Sequence, residues 1–202
     1  ADHKLVDDAG DELAALGWGF APDRDKPVSG CMVPHEVFSS CAGAAIYRKS
    51  VFDEIGLFDE SFFAYLEDMD IGYRARLAGY RNLYNPYAKV YHLGSASSGS
   101  RHNAFKVELS ARNSMYMLRK NMPAWQMVLN VPFIAAGIII KTVYFARKGL
   151  VRAYLKGIIK GLSGKLRNTS ENGGGKHKDT SFATYLGLQM WLFRGLVKRV
   201  KK

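Results

Sequence analysis

Three carboxylates, Glu67, Asp68 and Asp70, fall within four positions just after the aromatic run Phe62, Phe63 and Tyr65. The spacing predicts a helix over residues 67–78, with the acids in its first turn, Arg74 and Arg76 toward its end and Gly79 terminating it. That charge order suits the helix dipole. Acids at a helix start can cap free N–H groups, or one of them can be held rigidly as a general base. Both readings stand on spacing alone. His92 ends a short apolar run, where a lone histidine is ordinarily a satisfied surface or core residue. His35, His102 and His177 lack partners at metal-ligand spacing. Cys31 and Cys41 are too few for a disulfide scaffold or a multi-cysteine zinc module, and are expected as small hydrophobes.

The elements that must position these groups are short. Residues 2–19 read as a short helix followed by a loop, residues 21–27 as turn material, and residues 28–33 as a short strand. Residues 41–47 read as a small-residue strand running into Ser50, which caps a helix over 51–55 closed by Gly56. Strands are expected at 83–84 and 88–92, then a Ser/Gly loop over 94–100 and a long helix over 104–121. The architecture expected is α/β.

Charge divides the chain near Pro123. Residues 1–122 hold 14 Lys and Arg against 16 Asp and Glu, a net of −2; residues 123–202 hold 15 against 2, a net of +13. A near-neutral body thus carries a basic tail, which points to a polyanionic partner. Residues 121–140 contain no charge, but Pro123, Gln126, Asn130 and Pro132 dilute them, which favours an interfacial or re-entrant helix over a membrane span. Residues 147–167 and 182–200 each set an aliphatic face against Lys and Arg, around a polar, Gly-rich linker over 168–180. Large aliphatics alternate with the basic residues and no base-reading motif accompanies them, so an anionic membrane surface is expected and nucleic acid is not. Gly157 and Gly161 read as a shallow helix face.

Residues 27–123 resemble family 2 glycosyltransferases, nucleotide-sugar-dependent enzymes of GT-A fold, and most of all their rhamnosyltransferase-like members. The ordered matches are Cys41-Ala-Gly-Ala-Ala, the lead-in Val51-Phe-Asp-Glu-Ile-Gly-Leu-Phe-Asp-Glu-Ser-Phe-Phe, Leu66-Glu67-Asp68, Val90-Tyr-His92 and Arg112-Asn113. The resemblance implies Asp68 as catalytic base of an inverting transfer and Glu67 as an acceptor-positioning group. It implies Cys41, Ala42, Gly43 and Ala44 as a loop that lets backbone approach the donor, and His92 as a ligand of the metal-diphosphate. Asp70 is then structural, pairing with Arg74 at i,i+4. The helix dipole is expected to keep Asp68 ionised.

The family's first half is a nucleotide-binding βαβ region ending in a strand and Asp-x-Asp, and nothing before Pro27 has that form. Asp23-Arg-Asp25 spells the motif between two prolines with no apolar strand ahead, and Asp68-Met-Asp70 spells it inside the base motif. The chain therefore resembles the acceptor-side part of a GT-A (Rossmann-like) catalytic domain over 1–122, followed by amphipathic, membrane-associating helices over 123–202. The divalent cation, Mg2+ or Mn2+, would lack its main Asp-x-Asp ligands here. The expected function is transfer of a sugar, with rhamnose the resemblance's suggestion, from a nucleotide-sugar to a lipid-linked or cell-surface glycan by a peripheral protein at the cytoplasmic face of the cell membrane. The alternative is a non-catalytic, membrane-bound interaction remnant of such an enzyme.

Overall fold

The computed structural model describes residues 4–92, 103–165 and 180–201. The expected Ser/Gly loop over 94–100, most of the linker over 168–180, and His102 and His177 lie outside them. The described residues are mixed α/β and mostly helical. Strands β1 (Glu12–Ala14) and β2 (Trp18–Phe20) form an antiparallel hairpin, and β3 (His35–Val37) pairs antiparallel with β4 (Asn82–Tyr84), His35 opposite Tyr84. The α-helices among the described residues are α1 (Lys49–Ile55), α2 (Glu67–Leu77), α3 (Ala104–Asn121), α4 (Ala124–Ala146), α5 (Val151–Ser163) and α6 (Phe182–Val200). Among the described residues there is no parallel sheet of the Rossmann kind.

Local chemistry sets the helix limits. Asn103 caps α3 by accepting from the Lys106 N–H at 2.9 Å, and Ser181 caps α6 by accepting from Thr184 at 3.2 Å. Pro123 forces Met122 out of the helical region, so α3 stops and α4 begins within three residues. Gly56 and Gly79, at φ of 78° and 86°, stop α1 and follow α2 in a backbone region that residues with a Cβ avoid.

Several sequence expectations fail. Residues 12–20 form the β1–β2 hairpin rather than helix and loop, with Gly17 in the left-handed region donating to the Ala14 carbonyl at 2.9 Å. Val28–Cys31 and Ala42–Ala44 are 3-10 turns, not strands. Residues 88–92 form no strand, because Asn85 turns the chain by accepting from the Tyr87 N–H at 3.0 Å.

One core runs across Pro123. Leu13, Phe38, Tyr73, Met115, Ile134, Tyr154 and Leu192 belong to a single buried cluster drawn from both sides of it. The change at Pro123 is therefore one of composition and surface, with packing continuous through it. Gly157 and Gly161 let α5 lie directly on α3, where a Cβ would strike the Glu108 and Arg112 carbonyls. Gly195 gives α6 the same closeness to the Leu13 carbonyl of β1. The shallow face read from Gly157 and Gly161 is thus an intrachain helix contact.

Candidate active site

The segment before α2 is held in an uncommon conformation. Phe63, Tyr65 and Leu66 all have φ between 61° and 68°, a region bulky side chains rarely enter. Such strain persists only where surrounding groups over-determine it. Here the buried Asn113 of α3 does so, its Nδ2 donating to the carbonyls of Phe62, Ala64 and Tyr65 at 3.0, 2.8 and 2.8 Å. Arg112 donates to the Ser61 carbonyl and to Asn113 Oδ1, fixing the amide's orientation. The sequence singled out Arg112 and Asn113 only by resemblance; their task is visible only when α3 is packed against this turn.

Below the turn lies a buried ion network. Asp70, fully buried, accepts from Arg74 Nε at 2.9 Å, Lys120 Nζ at 3.0 Å and Asn121 Nδ2 at 2.9 Å. Lys120 also reaches Asp59 at 2.8 Å. Burial pulls the Asp59 carboxyl up, but Lys120 and the Ser61 amide outweigh it, so Asp59 titrates below its ordinary value. The expected Asp70–Arg74 pair is present, and Arg74 does more: its guanidinium donates to the carbonyls of Ile55, Gly56 and Leu57. Arg76 likewise clasps the Phe38 and Val37 carbonyls and stacks 3.8 Å from the Trp191 ring. These arginines were read as helix-end charges; they are tethers between segments.

Upon this base sits Asp68. Its Oδ1 accepts from the Met69 N–H at 2.7 Å and its Oδ2 from the Ala42 N–H at 3.3 Å. The helix start and the loop of Cys41, Ala42, Gly43 and Ala44 are therefore adjacent. That loop is exposed around a free-standing turn, and a Cβ at Gly43 would meet nothing nearer than Cys41 Sγ at 3.9 Å. Burial raises the Asp68 carboxyl above the ordinary carboxylate range in spite of the two N–H bonds. Desolvation thus outweighs these N–H groups in the direction of the shift. A carboxylate raised in this way holds a proton more readily, which suits a base.

Other acids crowd the same place. Burial, then the charges of Asp8 and Asp68, push Asp11 up to about 8, and burial raises Asp8 as well. Sequence reading passed over Asp8 and Asp11, which sit in the segment read as a short helix followed by a loop. Glu67 is half-buried, its carboxyl also raised by burial, and its Oε2 is buried without a hydrogen-bond partner. This unpartnered carboxylate oxygen lies beside Asp68 and is shut off from solvent.

His92 stands apart from Asp68 in its contacts. Its Nδ1 is paired with Asp7 Oδ2 at 2.6 Å, and Asp7 also pairs with Arg24 at 3.2 Å. No group of three or more His, Cys, Asp or Glu among the described residues could hold a metal ion. His92 and Asp7 offer two donors, so the described residues do not by themselves make up a divalent-cation site.

No protein-family model matches the chain, and no solved structure matches it. Over 54 residues, 27% of this chain, it is 43% identical to proteins named N-acetylglucosaminyl-diphospho-decaprenol L-rhamnosyltransferase from two strains of Mycobacterium tuberculosis, CDC 1551 / Oshkosh and ATCC 25618 / H37Rv. It is 32% identical over 80 residues, 39% of this chain, to a Sinorhizobium fredii protein named y4gI, of which the match spans 9%. The chain covers 18% of the length of the two Mycobacterium relatives. This partial similarity supports a glycosyltransferase-like relationship.

Proposed function

We propose that this chain is the acceptor-side part of an inverting, GT-A-type glycosyltransferase, with Asp68 as the base. The observation that carries the reading is the Ala42–Asp68 hydrogen bond, which brings the exposed small-residue loop and the carboxylate into one place. The partial similarity to proteins named as rhamnosyltransferases supports it independently.

In this reading the donor nucleotide-sugar lies over the turn of Cys41, Ala42, Gly43 and Ala44, where the absence of large side chains admits it. Glu67, adjacent to Asp68 at the start of α2, orients the acceptor. Asp68 removes the proton of the attacking hydroxyl as that oxygen bonds to the anomeric carbon and the bond to the nucleoside diphosphate breaks, with the electron pair leaving on the diphosphate. His92, fixed by Asp7, offers a hydrogen bond to the leaving group. Rhamnose is the sugar favoured, on the relatives' names alone. A lipid-linked glycan acceptor fits a peripheral protein on the cytoplasmic face of an anionic membrane, in keeping with the net of +13 over residues 123–202.

The test is transfer by the complete gene product that contains this chain, using labelled dTDP- and UDP-sugars and a polyprenyl-diphosphate-linked sugar as acceptor. Labelled lipid product with an anomeric configuration opposite to the donor's is expected. No transfer from any donor, or product that retains the configuration, would overturn the reading.

A further inference from the structure

Helix α4 is amphipathic in the reverse of the usual sense. Gln126 and Asn130, the polar residues that interrupt its sequence, are fully buried and face α6, where Gln126 Nε2 and Asn130 Nδ2 donate to Gln189 Oε1 at 3.0 and 2.7 Å. Gln189 returns a bond to Asn130 Oδ1 at 3.0 Å. With its amides turned inward, α4 exposes only apolar side chains. Trp125, Val128, Leu129, Val131, Ile139 and Ile140 are each at least 40% exposed, and the remaining exposed positions are Ala, Pro, Val and Tyr. The face runs 23 residues, about 34 Å at the helical rise. Leaving so wide an apolar face in water is unfavourable, which marks it as a surface that something covers.

We propose that this outward face of α4 is a docking surface for an anionic lipid bilayer, and that the helix lies in the plane of the interface rather than crossing it. Charge selects the partner. No Asp or Glu occurs in α4, α5 or α6, and Arg147, Lys148 and Arg152 are exposed at the turn where α4 meets α5. The Lys148 ammonium sits 4.8 Å from the ring of Tyr144, at the very edge of the apolar face. Basic groups beside an apolar helix face are the arrangement of interfacial helices.

The inner side of α4 decides the orientation. Near both ends it carries or meets groups that hydrocarbon would not accept, the amide trio at its start and, toward its end, Lys141 and Arg199 at 4.9 and 5.7 Å from the Trp18 ring, with the core residue Ile134 between them. The Lys198–Glu12 ion pair lies on the same supporting layer of α6 and β1. Crossing the bilayer would carry this layer inside with it, against a large desolvation cost. Lying flat immerses only the apolar side. In α5, Tyr154 and Ile158 are buried and Gly157 and Gly161 press on α3, while Leu155, Ile159 and Leu162 stay exposed.

This deepens the membrane partner named above but rests on α4 alone, so its test uses no sugar. The full chain, with Cys31 and Cys41 replaced by Ser, carries a fluorophore at L129C or I140C, positions three turns apart on one exposed face. Flotation with phosphatidylglycerol-containing vesicles is expected, and depth-dependent quenching should place both labels equally shallow. Depths that differ by about the 16 Å rise between them would mean a span and overturn the proposal. So would failure to float, whether the protein is then a monomer, a dimer or bound elsewhere, and so would equal flotation with neutral vesicles. In the unlabelled chain, L129E/I140E should weaken flotation at least tenfold with the circular dichroism spectrum and melting temperature unchanged; undiminished flotation would contradict the proposal. Loss of vesicle binding leaves the transfer chemistry unaddressed, and loss of transfer leaves the vesicle result standing.

Discussion

The backbone N–H of Ala42 donates to Oδ2 of Asp68 at 3.3 Å, joining residues 26 positions apart. Through that bond an exposed, small-residue turn and a half-buried carboxylate share one location. The carboxylate in turn stands on a turn clamped by α3 and a helix pinned by a buried ion network. Each layer can be tested separately.

Asn113 is the clamp. Asn113→Ala removes the one amide nitrogen that bonds the Phe62, Ala64 and Tyr65 carbonyls and releases a turn with three left-handed residues. Denaturant unfolding should show a loss of about 2–4 kcal/mol. Hydrogen exchange at the Phe63 and Asp70 amides, which bond Glu60 and Leu66 in the native turn, should accelerate beyond what the global loss explains. Unchanged exchange there would show that the turn holds itself.

Lys120 neutralises two buried acids at once. Lys120→Met should cost about 3–5 kcal/mol at neutral pH, because Asp59 and Asp70 remain buried without it. Asp59 titrates below its ordinary value in the folded protein, so the contribution of this pair is present above the unfolded carboxyl pKa and is lost as pH falls through the folded one. Wild type and variant should therefore converge in stability below about pH 4. Parallel loss at every pH would assign the defect to packing alone.

Asp11 acts with the opposite sign. Its carboxyl is pushed up to about 8, so the folded protein holds a proton that the unfolded chain has already released. Stability is then lost as pH rises from about 4 to about 8 and is flat beyond. Asp11→Asn should raise the melting temperature at pH 8, with little effect at pH 4. A variant no more stable than wild type at pH 8 would show that Asp11 is not carried as a buried acid.

Much of this frame is legible in the sequence, for identifiable reasons. Helices α2, α3 and α6 are bounded by local signals (acids in a first turn, Asn103, Ser181, Gly79), and such signals need no knowledge of the partner. The β1–β2 hairpin is not legible, because Leu13, Ala14 and Ala15 favour helix locally and are overridden by the α6 surface on which they pack. Gln126 and Asn130 read as weakening an apolar segment, since their partner Gln189 lies 59 or more positions away. Asp68, Glu67, the turn at Ala42–Ala44 and His92 were all visible as residues. That Asp68 meets Ala42 while His92 meets Asp7 follows from tertiary pairing, which no spacing rule encodes.

The central claim is that Asp68 is the base of a glycosyl transfer. The direct measurement is turnover of Asp68→Asn in the complete gene product, beside nucleotide-sugar binding by calorimetry and Asp70→Asn as a control for damage to the helix. Turnover should fall by about 10²–10⁴-fold with donor affinity near wild type, while Asp70→Asn should show chiefly a stability defect. Turnover of Asp68→Asn comparable to wild type would contradict the claim.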